Sequence, residues 1–252
     1  MVSKFEKDVL KILDSFNNSI TRHKAEYIIE SIYDISQKDN LESILKWYEI
    51  CKKDSQKSVV EEIPLNSCRS WNVTEESIKH DSNDFFEVVG VRVDETPGRE
   101  VVSGWDQPMV KQVGFDGGIL GLIRCYIDGL PYYLCDAKFE PGNPDVVQIS
   151  PTLQATFANL KRAHKGKSPL FSELFFPEIH PDVEVLFNQW FSEDGGRLYL
   201  KRNKGLVINA PYQLVAPFLT ERQRFLSLFQ IKELLKTGSL VSPHLRSLIS
   251  WM

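Results

Sequence analysis

Several features that a chain of 252 residues could carry are scarce or missing in this sequence. Its four cysteines are too few for a disulfide framework at this size, and none stands in a CxxC or Cys/His spacing typical of a zinc site. No uncharged run of about 18 apolar residues is present, so no membrane-spanning helix is expected. Residues 1–8 lack the apolar segment of a signal peptide, so we expect a cytoplasmic protein with reduced thiols. The cysteines are Cys51, Cys68, Cys125 and Cys135.

The sequence also lacks an excess of positive charge. Its 30 Lys and Arg residues are outnumbered by 34 Asp and Glu residues, which gives a net charge of -4. The basic residues are dispersed, so no stripe that follows a nucleic-acid backbone is visible. We therefore expect neither nucleic acid nor membrane as a partner, whereas a small anionic ligand would need only a few local Lys or Arg side chains.

Apolar periodicity in the first 58 residues indicates helices. Apolar residues recur three and four positions apart in three stretches. From Val59 the composition shifts towards strand formers, so we expect a helical segment over 1–58 and a second domain over 59–252. The repeating residues are Phe5, Val9, Ile12, Leu13 and Phe16, then Ile28, Ile29, Ile32 and Ile35, then Leu41, Ile44, Leu45 and Tyr48.

Strand and turn signals dominate the second domain. Residues 119–127 and 131–139 are two apolar segments that flank Asp128-Gly129. This dipeptide is favoured in two-residue hairpins because both central residues need positive φ. We predict an α+β fold, with a mixed and mostly antiparallel sheet, one central helix and the N-terminal helical segment.

The C-terminal part carries the signals of a strand pair and two helices. A Gly-Gly pair opens the strands, a Thr with Gln three residues on suggests a capping box, and a Ser-Pro pair starts the last helix. These signals are Gly195-Gly196 before strands near 197–200 and 206–208, Thr220 with Gln223 before a helix that ends at Gly238, and Ser242-Pro243.

One stretch, residues 133–166, carries most of the candidate chemistry. Apolar and charged residues alternate over 133–140, which predicts a strand with Asp136, Lys138 and Glu140 on one face. Lys138 and Glu140 stand two residues apart, so one cation and one carboxylate would meet the same ligand. The alternative is a solvent-facing salt bridge that contributes little to stability.

A helix is predicted to follow over 151–165. Ser150 would be its N-cap, Pro151 its first residue, and Gly166 would end it. Polar residues border the apolar stripe of this helix, where they either converge on a ligand or face solvent. These border residues are Thr152, Thr156, Asn159 and Arg162.

Five other residues each have two interpretations. His80 and His164 are of the type suited to acid–base work near neutral pH, but a surface histidine and one bonded to a helix-end carbonyl are the alternatives. Trp105, with Gln107, either borders a ligand or belongs to the core. Arg124 interrupts an apolar run, either as a phosphate ligand or as an arginine at a strand edge.

The central stretch resembles the signature of the NDP-hexose 2,3-dehydratases. The resembling segments there are Glu140-Pro-Gly-Asn143, Gln148-Ile-Ser-Pro-Thr-Leu-Gln-Ala-Thr156, Asn159 and Arg162-Ala-His-Lys-Gly166. The resemblance covers roughly Ile63 to the C-terminus. Its outer segments are Trp71, Ile78-Lys-His80, Phe85-Phe86, Arg99-Glu-Val101, Trp105-Asp-Gln-Pro108, Gly195-Gly-Arg-Leu-Tyr199 and Lys201-Arg-Asn203.

The resemblance implies a Nudix-like fold and a carbon–oxygen lyase of deoxysugar biosynthesis. Such an enzyme acts on an NDP-4-keto-6-deoxyhexose, taking the proton from carbon 3, which the ketone acidifies, and expelling the hydroxyl of carbon 2. This chemistry demands no metal and no redox cofactor, and we expect neither. The Mg²⁺-binding box of the Nudix hydrolases is absent, which disfavours pyrophosphate hydrolysis. The alternative function is that of a non-catalytic, nucleotide-sugar-binding relative.

The resemblance also favours particular site residues. It makes Lys138, Glu140 and His164 the catalytic candidates, and it implies a nucleotide-linked sugar, with dTDP as the expected nucleotide, as the ligand. The candidates for substrate binding are His80, Trp105, Gln107, Arg124, Asn143, Gln148, Thr152, Gln154, Thr156, Asn159 and Arg162.

The number of domain copies differs from the family pattern. The family's enzymes carry two tandem copies of this domain, whereas this chain carries one. Two explanations follow: either a homodimer rebuilds the two-copy arrangement, or the chain is a relative in which the chemistry has been lost or changed. We expect the homodimer, since twofold pairing is the commonest assembly of soluble oligomers.

Overall fold

Three helices open the chain, as predicted: α1 (Lys4–Ser15), α2 (Arg22–Ile32) and α3 (Leu41–Ser55). The side chains of Ser3 and Asn40 cap α1 and α3 by accepting hydrogen bonds from backbone N–H groups of the first turn. The structure, a computed structural model, describes residues 3–17, 19–95, 97–98, 100–115, 117–162 and 166–252.

Strands dominate the chain from residue 71 onwards. The strands are β1 (Trp71–Val73), β2 (Ser77–His80), β3 (Phe86–Val93), β4 (Trp105–Gln112), β5 (Gly118–Ile127), β6 (Leu130–Phe139), β7 (Val147–Pro151), β8 (Leu153–Thr156), β9 (Glu184–Ser192), β10 (Leu198–Tyr199), β11 (Arg202–Asn209) and β12 (Gln223–Leu226). The helices among them are α4 (Phe157–Leu160), α5 (Tyr212–Val215), α6 (Leu228–Leu234) and α7 (Pro243–Ile249).

The strands form two sheets. The small sheet has the order β1-β2-β3-β4-β10, and the large sheet has the order β12-β6-β5-β11-β9, with β7 paired to β6 and β8 paired to β5. The pairs β4–β10 and β5–β11 are parallel, and the other pairs between these strands are antiparallel. This mixed, mostly antiparallel arrangement confirms the α+β class, while the Nudix-like assignment stays a prediction.

The hairpin predicted at Asp128-Gly129 is confirmed. It joins β5 to β6, and both turn residues have positive φ, 54° for Asp128 and 78° for Gly129. Because these two strands are the centre of the large sheet, a local turn signal determines the pairing from which the rest of the sheet is built.

The central strands of the large sheet, β5 and β6, are buried on both faces. Ile119 and Ile123 of β5 pack into a cluster with Val9 of α1, whereas Leu122 packs on the other face with Trp47 of α3 and with Leu245 of α7. The N-terminal helices therefore contribute to the same core as the sheet, and the domain boundary between residues 58 and 59 stays a prediction. In the part of the chain that the structure describes, no helix is long and apolar enough to cross a membrane.

The helix predicted over 151–165 is wrong. Pro151 ends β7, residues 153–156 form β8, and within the described part of this segment, residues 151–162, only Phe157–Leu160 is helical. Burial alternates with a period of two from Leu153 to Thr156, because this segment pairs with β5. Strand pairing in the core thus prevailed over the local Ser-Pro signal.

Two C-terminal predictions also need correction. The capping box lies at Ser227 and Gln230, where it starts α6, whereas Gln223 begins β12. Strands β10 and β11 do not pair with each other, because β10 joins β4 and β11 joins β5 and β9. The last helix is confirmed, since the Ser242 side chain accepts from Leu245 N–H at 3.2 Å and caps α7.

Candidate active site

A cavity of about 330 Å³ opens at the end of the large sheet where β5 begins. Ile119 and Leu120 of β5 contribute apolar surface to it, and Phe86 and Leu198 of the small sheet line it as well. The remaining wall carries mostly polar and charged side chains. An apolar surface with a few converging polar groups is typical of a small-molecule site.

Five of the predicted site residues line this cavity. Lys138 Nζ lies 3.3 Å from Glu140 Oε1 and donates a hydrogen bond to the carbonyl oxygen of Gln154 at 3.0 Å. The Gln154 amide donates to the same Glu140 oxygen at 3.4 Å. Thr156 caps α4 by accepting from the N–H of Asn159 at 3.2 Å. The structure thus brings the charged end of β6 to β8 and the start of α4.

Four polar residues that were not among the predicted site residues also line the cavity, namely Glu193, Lys201, Asn203 and His244. Glu193 follows β9, Lys201 precedes β11, Asn203 lies on β11, and His244 is in the first turn of α7. Two of them carried a signal in the sequence, because Lys201-Arg-Asn203 is one of the outer segments of the family signature, and Lys201 and Asn203 have the same spacing as Lys138 and Glu140. Glu193 and His244 had no such signal, because they lie far apart in the chain.

Hydrogen bonds connect these four residues. His244 Nε2 lies 3.2 Å from Glu193 Oε1, and the Asn203 amide donates to the same oxygen. Lys201 Nζ donates to Asn203 Oδ1 at 2.6 Å. The hydrogen bond with His244 lowers the pKa of Glu193 against the opposing effect of burial, and burial lowers the pKa of Lys201 to about 8.

Gly118 allows the two sides of the cavity to approach each other. It pairs with Thr156 of β8, and the neighbouring Ile119 pairs with Lys204 of β11, so β5 has one of these strands on each side. A Cβ atom at Gly118 would lie 2.5 Å from the carbonyl oxygen of Ala155 and 3.0 Å from Asn203 Oδ1. Strands lie about 4.8 Å apart, so β8 and β11 are separated by about 10 Å.

Arg124 does not reach the cavity. It is fully buried, and its guanidinium donates to Glu26 at 2.6 Å and to Glu30 at 2.8 Å, both on α2. Tyr126 and Tyr133 donate hydrogen bonds to the same two carboxylates. The prediction of a phosphate ligand here is therefore corrected, because the Arg124 guanidinium is buried and already pairs with two carboxylates, which attach α2 to β5.

Three further predicted residues make hydrogen bonds with backbone groups. The Thr152 hydroxyl accepts from Ile123 N–H at 3.0 Å and donates to the Leu134 carbonyl, which ties β5 to β6. The Gln148 amide donates to the Ser239 carbonyl at 2.7 Å. Asn143 belongs to the turn after β6, and its N–H donates to the Glu140 carbonyl at 3.1 Å. None of these three residues is among the described residues that line the cavity.

The remaining predicted residues lie on the small sheet or beyond α4. His80 packs edge-on against Trp71, with ring centroids 5.5 Å apart. Trp105 donates to the Gln107 side chain at 2.6 Å. Arg162 is exposed and donates to the Ser168 hydroxyl at 2.8 Å. His164 lies outside the described residues. None of the described four lines the cavity, so their binding roles stay predictions.

The cavity therefore holds acid–base groups on both sides of β5. Glu140 and Lys138 lie on the β8 side, and Glu193, Lys201 and His244 lie on the β11 side. Two carboxylates, two amines and an imidazole provide the donors and acceptors that a proton transfer needs. The amines also provide positive charge that would stabilise a developing oxyanion.

Comparison with known proteins assigns the family. The family model of NDP-hexose 2,3-dehydratase matches residues 41–252. The chain therefore belongs to the NDP-hexose 2,3-dehydratase family, as the resemblance predicted. The match includes α3, whereas the sequence signature was recognised only from about Ile63.

Three relatives share the name dTDP-4-dehydro-6-deoxy-alpha-D-glucopyranose 2,3-dehydratase. The protein of Saccharopolyspora spinosa is 34% identical over 190 residues, which is 75% of this chain and 37% of the relative. That of Amycolatopsis orientalis is 32% identical over 206 residues, 79% of this chain and 42% of the relative. That of Streptomyces violaceoruber is 35% identical over 149 residues, which is 58% of this chain and 32% of the relative. The chain thus spans less than half the length of each relative.

Proposed function

We propose that this protein is a nucleotide-sugar 2,3-dehydratase, and that its substrate is a dTDP-linked 4-keto-6-deoxyhexose. Family membership and the names of the relatives support this proposal. The observation that carries it is the cavity, because residues of the family signature line it beside further acid–base groups. The resemblance supplies the substrate class, and the cavity supplies the groups that the chemistry requires.

The proposed reaction removes one water from carbons 2 and 3 of the sugar. A base takes the proton from carbon 3, and the electron pair forms an enolate with the ketone at carbon 4. The enolate then re-forms the ketone while the carbon 2–oxygen bond breaks, and the hydroxide leaves with one proton as water. The product is an enol at carbon 3, which becomes a ketone by moving its proton to carbon 2. Three functional groups are needed: a base, a stabiliser of the enolate oxygen and an acid.

Lys138 and Glu140 are proposed to act at carbons 3 and 4. The carboxylate of Glu140 is the base, and the ammonium of Lys138, 3.3 Å away, faces the enolate oxygen. Their positions support these roles, since the backbone carbonyl of Gln154 and the amide of its side chain hold the pair at the cavity wall. A cation adjacent to the base stabilises the negative charge where it develops.

The sugar is proposed to occupy the cavity and the nucleotide to extend along the small sheet. A volume of about 330 Å³ is at the lower end of ligand sites, which range over roughly 300–1,000 Å³. The small sheet contributes the apolar side chains of Phe86 and Leu198 to the lining of the cavity. Apolar surface of this kind favours contact with a nucleobase over contact with a charged group.

Incubation with dTDP-4-keto-6-deoxyglucose tests the activity. We expect mass spectrometry to show a product lighter by one water. If the protein is instead a non-catalytic relative, the substrate should raise the melting temperature of the protein and should not be converted. A ligand that binds the native state stabilises that state by mass action. Neither conversion nor a thermal shift with any nucleotide sugar would refute both functions.

A further inference from the structure

The second set of polar residues in the cavity has a chemical role still to be assigned. Lys201 Nζ donates to Asn203 Oδ1 at 2.6 Å and to the carbonyl oxygen of Arg202 at 3.3 Å. An ammonium group has three N–H donors. The described acceptors use two of them, and the third is available to a ligand in the cavity that Lys201 lines.

Asn203 fixes the position of this amine. It is only 7% exposed, and while its oxygen accepts from Lys201, its amide nitrogen donates to Glu193. His244 holds the same Glu193 oxygen from the other side at 3.2 Å. The result is one hydrogen-bonded series from α7 through β9 to the residue that precedes β11. A hydrogen-bonded series of this kind, with Asn203 buried at its centre, holds its members in one geometry.

Lys201 lies on the opposite side of β5 from Lys138 and Glu140. Lys201 directly precedes β11, whereas Lys138 lies near the end of β6, beside β8, and Glu140 directly follows β6. The two strands that flank β5, β8 and β11, are about 10 Å apart. A sugar ring between Glu140 and Lys201 would have the carboxylate near carbon 3 and the amine near the hydroxyl of the neighbouring carbon 2. The reaction needs two groups of this kind, since one proton leaves carbon 3 and another must reach the oxygen on carbon 2.

We propose that Lys201 is the general acid of the dehydration, a role that rests on the proposed function. Lys201 gives an ammonium proton to the hydroxyl on carbon 2 as the carbon–oxygen bond breaks, and the bond's electron pair leaves with the oxygen in the departing water. The electron pair of the enolate forms the carbon 2–carbon 3 double bond. After this step Glu140 carries one additional proton and Lys201 has lost one. The transfer of a single proton from Glu140 to Lys201 restores both groups.

The chemistry of Lys201 suits this role. Burial lowers the pKa of Lys201 to about 8, while the charge of Glu193 acts against that shift. An acid works best when its pKa is near the working pH. The other charged or titratable groups of the cavity are His244 on α7, Lys138 on β6 and Glu140 directly after β6. The Arg202 guanidinium stacks on Trp190 instead.

The test separates removal of the carbon 3 proton from loss of the hydroxyl. Lys201→Met is incubated with the substrate in D₂O, and deuterium at carbon 3 and product are measured together. We expect product formation to fall by about 10²–10⁴ while the recovered substrate gains deuterium at carbon 3. Lys201→Arg is the second variant, because a guanidinium keeps the positive charge but does not release its proton. Lys46→Met on α3, where the side chain is 71% exposed, is the matched control and should behave like the parent.

Each other outcome overturns the assignment in a recognisable way. If Lys201→Met and Lys201→Arg dehydrate the substrate as the parent does, Lys201 is not the acid. If exchange at carbon 3 is lost together with dehydration in the folded Lys201→Arg variant, Lys201 acts in the earlier step. If the parent itself neither exchanges nor dehydrates, the proposed function has failed and this inference fails with it.

The pH profile gives a readout that a purely structural role would not change. Because the acid must be protonated, kcat should fall as the pH rises through about 8. Glu193 is a positioning residue in this scheme, and its charge raises the pKa of Lys201. Glu193→Gln should therefore shift the fall of kcat to lower pH. A Glu193→Gln variant with lower kcat and an unshifted profile would contradict the assignment.

Discussion

At the scale of single residues, location separates chemical groups from ordinary surface charge. Glu42 and Lys46 form an ion pair on α3 at 2.7 Å, shorter than the 3.3 Å between Lys138 and Glu140. The α3 pair is more than 70% exposed, however, whereas the Lys138 side chain is 26% exposed and lines the cavity. An exposed pair contributes at most about 1 kcal/mol to stability and nothing to a reaction.

Substitution of the cavity pair should abolish most of the activity. Lys138→Met and Glu140→Gln should each lower kcat at least about a hundredfold, because one removes the charge that stabilises the enolate and the other removes the base. The affinity for dTDP should change little, since neither residue is proposed to contact the nucleotide. Steady-state kinetics and calorimetric titration with dTDP measure the two quantities.

The exposed pair on α3 provides the control for these substitutions. Lys46→Met and Glu42→Gln remove the same chemical groups from a pair remote from the cavity and should leave kcat unchanged. If the cavity variants fold and turn over like these controls, Lys138 and Glu140 have no catalytic role. In that case Glu193 and His244 become the next candidates for the base.

At the scale of elements, Arg124 shows how a helix is attached to the sheet. It lies on β5, while its two carboxylate partners, Glu26 and Glu30, lie on α2. Burial raises the pKa of Glu30, and the charge of Arg124 acts against that shift. The attachment is effective only while both charges are present, since a buried carboxylate without its partner is costly.

Arg124→Met should therefore destabilise the fold. We expect the free energy of unfolding in urea to fall by about 3–5 kcal/mol, the usual effect of removing one partner from a buried ion pair. Arg92→Met is the matched control, because Arg92 pairs with Asp106 at 2.8 Å while its side chain is 72% exposed. That variant should change stability by less than about 1 kcal/mol. Equal effects of the two substitutions would contradict the structural role of Arg124.

Gly118 provides a second test at this scale, because β8 and β11 meet β5 there. Gly118→Ala places a methyl group 2.5 Å from the Ala155 carbonyl oxygen, so a flanking strand must move. We expect a loss of about 1–3 kcal/mol in stability, as for other overpacked sites, together with lower kcat. Gly90→Ala on β3 is the control, since nothing lies within 4 Å of its new methyl group. Circular dichroism melts measure the stability, and steady-state kinetics measure kcat. A Gly118→Ala variant with the stability and kcat of the parent would contradict this packing constraint.

At the scale of the whole molecule, we propose that the protein is a homodimer. The family model matches residues 41–252, and the chain spans less than half the length of its relatives. Twofold pairing would bring two copies together, and it is the commonest symmetry among soluble oligomers. Light scattering at micromolar concentration should give twice the chain mass of 29.0 kDa. A mass of 29.0 kDa under these conditions would contradict the proposal.

Sequence reasoning succeeded where the signal was confined to a few neighbouring residues. The Asp128-Gly129 hairpin depends on two backbone angles, and the three N-terminal helices depend on apolar spacing and caps. The helix predicted over 151–165 is wrong in the described residues 151–162, because Ser150-Pro151 has the local pattern of a helix start but lies in β7. The choice there depended on the energy of completing the large sheet, which no local pattern contains.

The sequence by itself therefore determined the family, the α+β class, and Lys138 and Glu140 as a charged pair at the end of one strand. Only the tertiary structure decided that Arg124 binds carboxylates and that His244 meets Glu193. The reason is physical: turn angles and apolar periods act between neighbouring residues. The position of a side chain relative to distant parts of the chain depends instead on how β5 is covered on both faces and on both edges.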